Sequence, residues 1–177
     1  DPQCSRNAVY PAIELGINTR WEESLVACKT CPKLPRATWQ NERCYAYRVM
    51  GRCYSEVGLS HEAEQAFHSA AGEAPNTREP WCELALLCYR QSRWEECFAY
   101  AMRALRITDR EAVYTCDPAV WGYQAHDLAA ISSWNLGLKD IAIQQGQLAV
   151  DLEPGDSRLR ANLDWYMGKV ELEEEAA

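Results

Sequence analysis

Along most of the chain, apolar residues return every three or four positions, the spacing that places them on one face of an α-helix. Tyr47, Gly51 and Tyr54 form one such stripe, and Ala63, Phe67 and Ala70 form the next, with Gly58 between them. Pro75 ends the second stripe, because proline has no N–H to continue the helical ladder. Thr19 with Glu22, and Ser92 with Glu95, have the spacing of capping boxes that open helices. Asp156 is placed to cap a last helix carrying Leu159, Leu163, Tyr166 and Val170. No stretch alternates polar and apolar residues long enough for a strand, so the chain is expected to be all-α.

The recurring unit resembles the tetratricopeptide repeat (TPR), a helix–turn–helix of about 34 residues. In that family small residues let two antiparallel helices approach and rings fill the gaps. A unit at 44–77 has Gly51, Ala63 and Ala70 at the small positions and Tyr47, Tyr54 and Phe67 as rings. The same frame at 78–111 meets Trp81, Ala85, Trp94, Cys97, Ala101 and Ala104. At 123–156 it meets Ala130, Gly137, Ala142, Gly146, Ala149 and Pro154. A weaker fit at 5–38 uses Ala8, Ala12, Trp21, Ser24, Cys28 and Cys31, with Pro11 in the opening turn of a helix beginning near Ala8. The resemblance implies one TPR-like domain over 1–177, a right-handed superhelix of four helical hairpins closed by a capping helix at about 157–174. Ser24, Ala63, Cys97 and Ala142 hold one equivalent position and lie 39, 34 and 45 residues apart, so extra residues are expected at 39–43 and 112–122.

Composition narrows the function. With 177 residues, 47% hydrophobic and 25% charged, the chain reads as a soluble globular domain. Lys and Arg number 18 against 26 Asp and Glu, a net charge of -8, which argues against a nucleic-acid partner. No apolar run approaches the ~20 residues needed to cross a bilayer. The start, Asp1 to Asn7, lacks a leader pattern, so a cytoplasmic location is expected. Seven Trp and nine Tyr against two Phe are amphipathic rings, suited to surfaces as well as cores. Residues 113–177 carry a net -7, and Glu171, Glu173, Glu174 and Glu175 are expected to form a solvated, fraying helix end.

Nine cysteines raise the question of metal or redox chemistry. Cys28 and Cys31 form a CxxC pair, but no second pair or HxxxH follows to complete a zinc site. The three histidines, His61, His68 and His126, stand beside no cysteine in sequence. Cys28, Cys31, Cys88 and Cys97 are instead expected to be small core residues where helices pack closely. No metal and no cofactor is expected.

A second resemblance covers roughly residues 8 to 166. Trp39, Glu42, Arg43, Cys53-Tyr54, Arg78-Glu79-Pro80-Trp81, Trp94, Trp121, His126-Asp127-Leu128, Asn162 and Tyr166 are similar to the helical region that follows the catalytic domain in certain bacterial GT-A type glycosyltransferases. The catalytic domain of that family is a separate α/β unit with an Asp-x-Asp motif, and no Asp-x-Asp occurs here. Phosphate-binding loops, Gly-x-Ser-x-Gly and His-Glu-x-x-His are also missing, so no catalytic residue is expected. His126 falls on a ring position and is expected to be a satisfied structural histidine.

In the TPR family the inner face of the superhelix is lined by the first helix of each hairpin. The resemblance therefore nominates Tyr45, Arg48, Arg52, Glu79, Leu86, Tyr89, Arg90, Asp127, Trp134 and Asn135 as groove residues. Arg48 and Arg52 stand four apart and can aim two forks at one anionic group, or else pair with Glu42, Glu56 or Glu79 and merely join repeats. The expected partner is a protein or peptide, with a glycan segment as a further candidate. Two readings remain at this stage: an interaction module, or an accessory region of a glycosyltransferase.

Overall fold

The computed structural model describes residues 11–12, 14–15, 18–30, 38–111 and 113–168. Among them nine helices follow in order: α1 (Trp21–Thr30), α2 (Gln40–Glu56), α3 (Ser60–Glu73), α4 (Glu79–Arg90), α5 (Trp94–Leu105), α6 (Pro118–Trp121), α7 (Gln124–Asn135), α8 (Lys139–Leu152) and α9 (Ser157–Tyr166). No strand occurs among the described residues. Cys4, Cys31, Ala8 and the glutamates at 171–175 lie outside them, so the expectations placed on those residues do too.

Small side chains set the helix spacing. Ala63, Ala70, Ala85, Cys97, Ala104, Ala130, Ala142 and Ala149 are all buried where helices meet, as are Ala12 and Ser24. Gly51 is the tightest approach: a Cβ there would lie 2.3 Å from the Phe67 ring of α3. Each helix packs chiefly on the next, except that α5 skips the short α6 and packs on α7. Ala63 and Phe67 thus meet Leu84 and Leu87 at one junction, while Cys97 and Ala101 meet Leu128 and Ala129 at the other. The last helix covers the apolar end through Leu159, Leu163 and Tyr166, capped by the Asp156 carboxylate at the Arg158 and Leu159 amides.

Two local expectations are corrected. Thr19 and Ser92 do not cap helices; they sit in the left-handed region at φ 59° and 57°, where Gly58 and Gly137 sit at 80° and 76° in the equivalent turns. A chain reversing between two close helices needs one such residue, and a short polar side chain tolerates it at modest cost. Arg93, not Ser92, precedes the first residue of α5, and no side chain caps that end. The extra residues at 39–43 fall at the start of a helix. Residues 40–43 belong to α2, which they lengthen at its start, with Trp39 at the N-cap.

The other extra segment departs from the stack. After α5 the chain leaves the helix pair, crosses the first helices of the two preceding hairpins, and returns through α6 to α7. Tyr114 donates its hydroxyl to Glu42 of α2 at 2.9 Å and its ring meets Trp39 at 5.5 Å. Asn41 donates to Glu111 at 2.8 Å. The Asp117 amide and the Trp121 indole both donate to Glu79 of α4, at 3.0 and 2.9 Å. Val120 is buried with Cys82, Ala104 and Ala125.

Candidate functional site: the concave cavity

Between α2, α4 and this returning segment lies a cavity of about 350 Å³. Its apolar lining includes Tyr45, Val49, Leu86 and Val120, and its polar lining Arg52, Glu56, Glu83, Arg90 and Asp117. Helical register explains who reaches it: Tyr45, Val49 and Arg52 lie three or four apart on α2, as do Glu83, Leu86 and Arg90 on α4.

Of the residues nominated from sequence, Tyr45, Arg52, Leu86 and Arg90 line this cavity. Arg48 does not present a free fork to it. It is 2% exposed, donates to the Thr115 carbonyl at 3.0 Å and stands 3.6 Å from a Glu83 oxygen. Its Nε is buried without a hydrogen-bond partner, an arrangement that typically costs about 1–3 kcal/mol. Arg52 donates to the same Glu83 carboxylate at 2.6 Å and lies 3.8 Å from Asp117. The anticipated pair of anion-binding forks is thus neutralised by carboxylates, and by Glu83 and Asp117 rather than by the neighbours expected. Arg90 joins Glu56 and Ser55 across the two helices at 3.0 and 3.3 Å.

The remaining nominees are committed elsewhere. Glu79 is buried under the Asp117 amide and the Trp121 indole. Asp127 is buried and paired with Arg158 of α9 at 2.9 Å, which ties the last hairpin to its cover. Burial holds its carboxyl above the usual carboxylate range, partly offset by Arg158. Tyr89 is exposed and meets Trp94 edge-on at 6.1 Å. Trp134 packs on Tyr166 at 5.2 Å under Lys139, and Asn135 donates to the Ile131 carbonyl. Sequence reasoning missed Glu83, Thr115, Asp117 and Val120. Asp117-Pro118 is a helix-start signal that could have placed α6, but nothing in the sequence says where the segment lands.

His126 is a packed ring, as expected, donating from Nδ1 to Gln145 at 2.8 Å. Burial lowers its pKa. Among the described residues no three His, Cys, Asp or Glu converge to hold a metal ion, and no helix is long and apolar enough to cross a membrane.

No protein-family model matches the chain, and no curated protein matches it. Solved structures do. The crystal structure of YrrB, a TPR protein with an unusual peptide-binding site, superposes with a TM-score of 0.68 at 15% identity, over 96% of this chain and 79% of that one. The MamA protein gives 0.71 at 14% identity, over 95% and 83%. PilF of Pseudomonas aeruginosa gives 0.68 at 15%, over 96% and 68%. At such identities the likeness defines the fold: an all-helical superhelix of the TPR type.

Proposed function

We propose that this chain is a non-catalytic interaction module whose concave cavity receives a segment of a partner protein. The observation that carries this is the cavity itself, a concave space of about 350 Å³ lined by Leu86, Val49 and Tyr45 and by charged residues. An apolar anchor side chain fits such a lining. Arg52, Arg90 and the Arg48 behind Glu83 balance the three carboxylates Glu56, Glu83 and Asp117, so the segment is bound for its apolar side chains and main chain rather than for net charge. YrrB, of the same fold, is described as having a peptide-binding site. A glycan is the weaker occupant. Sugars bind to open ring faces, whereas the Tyr45 ring carries Arg48 at 5.4 Å and Trp134 carries Tyr166 and Lys139. The residues that resemble the glycosyltransferase-associated region, Trp39, Glu42, Glu79 and Trp121, hold the returning segment here, a structural task that leaves the accessory reading resting on sequence alone.

The test is selection of peptides from a displayed random library on the native chain, followed by affinity measurement with a Leu86→Glu variant shown to fold by circular dichroism. Selected peptides should lose at least tenfold in affinity. Equal binding to both proteins would place the contact elsewhere and sink the reading.

A further inference from the structure

The arginines of the chain divide into two groups. Arg43, Arg52, Arg90, Arg93 and Arg158 each meet a carboxylate. Arg78, Arg103, Arg106 and Arg110 form no ion pair among the described residues, in a chain with 26 Asp and Glu. These four share one surface. The Trp121 ring has the Arg78 guanidinium 4.6 Å from its centre and that of Arg110 at 5.9 Å. Trp81 carries Arg103 at 5.3 Å, and Arg106 follows one helical turn later, at the end of α5. Both indoles pack against the same buried cluster of Cys82, Ala104, Val120 and Ala125.

Local structure explains where these side chains stand. Arg103 and Arg106 meet the negative pole at the C-terminal end of α5. Arg78 donates to the Ile107 carbonyl at 2.7 Å, and Arg110 to the Cys116 thiol at 3.2 Å. None of these contacts neutralises a full charge. The carboxylates beside them in sequence are spent elsewhere: Glu79 accepts from the Asp117 amide and the Trp121 indole, and Glu111 from Asn41. Asp109 borders a small hollow with Asn76 and Thr77. A guanidinium held over an indole has lost part of its rotamer freedom before any ligand arrives. Its remaining N–H groups suit the planar fork of a carboxylate.

We propose that Arg78, Arg103, Arg106 and Arg110, with Trp81 and Trp121, form a second interaction surface that takes a short acidic segment of a partner protein. Charge complementarity selects this occupant. A few Glu or Asp carboxylates match the four arginines, and the two indoles pack against the stems that carry them. A nucleic acid would extend its phosphates past the arginines and over a chain of net charge -8. A short segment avoids that repulsion, because charges more than about 8 Å away are screened at physiological ionic strength. None of these six residues lines the concave cavity, so this surface stands independently of the cavity reading.

The test titrates a fluorescein-labelled hexaglutamate peptide against the intact chain at about 50 mM salt. An Arg103→Gln, Arg106→Gln variant, shown to fold by circular dichroism, should bind it at least about tenfold more weakly. Arg110→Gln, which alters the loop after α5 and no helix, should weaken it as well. Raising the salt to about 300 mM should weaken binding to the native chain by a similar factor. Leu86→Glu should bind the peptide as the native chain does, so the two surfaces fail separately. Absence of binding, or equal binding by the native chain and both arginine variants, would overturn the proposal. Tighter binding of a labelled thymidine decanucleotide than of the peptide would overturn the choice of a protein partner.

Discussion

The two halves of the stack fill equivalent close-packed places with different chemistry. In α1–α5 the buried small residues include Cys28, Cys44, Cys53, Cys82, Cys88 and Cys97. Alanines such as Ala63, Ala70 and Ala85 share those places with them, whereas in α7–α9 the buried small residues are alanines and serines, among them Ala125, Ala129, Ser132, Ser133 and Ala142, and no cysteine follows Cys116 in the sequence. Ion pairs divide in the same way. The first half has Arg43–Glu73, Arg52–Glu83, Arg90–Glu56 and Arg93–Glu64 between elements, whereas Arg158–Asp127 joins α9 to α7. A helix crossing selects for volume, and a thiol is nearly as compact as a methyl group. The two solutions pack alike but titrate differently.

The largest consequence is alkaline sensitivity of the first half. Burial pushes the Cys44 and Cys97 thiols up to about 11 and Cys88 up to about 12, and raises Cys82 further. A thiol raised in the folded state contributes stability that is whole below its ordinary value and is lost as pH rises through the folded value. Each such group loses about 1.4 kcal/mol per pH unit in that window. Urea denaturation should therefore show a loss on the order of 5 kcal/mol between pH 8 and pH 10, reduced by about a quarter in Cys97→Ala after correction for its pH 8 stability. Tyr166, also raised by burial, adds its share only above pH 10. A loss below about 1 kcal/mol would mean the thiols are wetter than their packing implies.

If volume alone governs the crossings, the halves should respond equally to overpacking. Ala63→Leu in the first half and Ala142→Leu in the second should each cost about 1–3 kcal/mol, read as a lower melting temperature. One unchanged value would break the equivalence of the two sites. Much of this was legible beforehand because close helix crossings demand small residues at fixed spacing. That demand made the all-helical superhelix readable from Gly51, Ala63, Ala85, Ala130 and their neighbours. The site was readable only in part. Position in a helix says which side chains face inward, and it found Tyr45, Arg52, Leu86 and Arg90. It could not say that 113–121 would fold back over Arg48 and Glu79, because those contacts join residues 67 and 38 apart through main-chain groups that leave no sequence pattern.

Glycine offers a finer comparison. Gly51→Ala pushes a methyl to 2.3 Å from the Phe67 ring, held between α2, α3 and α4, and should destabilise by about 1–2 kcal/mol despite the better helix propensity of alanine. Gly146→Ala meets the Tyr166 ring edge of α9 at 3.2 Å, a contact that a shift of a few tenths of an ångström relieves. There the propensity gain and the contact should nearly cancel, within about 0.5 kcal/mol. Equal losses at both sites would show α9 to be as tightly held as the inner helices.

The smallest effect belongs to the second half and runs toward acid. Burial holds the His126 imidazole below its ordinary 6.5, against a hydrogen bond to Gln145 that favours the charged form. A depressed histidine contributes stability that is present above 6.5 and is lost as pH falls through the lowered value. Asp127, next in sequence, acts in the opposite sense: its raised carboxyl restores stability as pH falls toward 3.8. The two must be separated by difference. His126→Gln keeps an amide donor for Gln145 and removes the titration, so its stability curve between pH 7.5 and pH 5 should be flatter than the native one, by up to about 1 kcal/mol. Parallel curves would place the His126 ring in contact with water, and the acid response would then have to be sought in the carboxylates of the first half, where Arg93 holds Glu64 and Glu96 below their usual range.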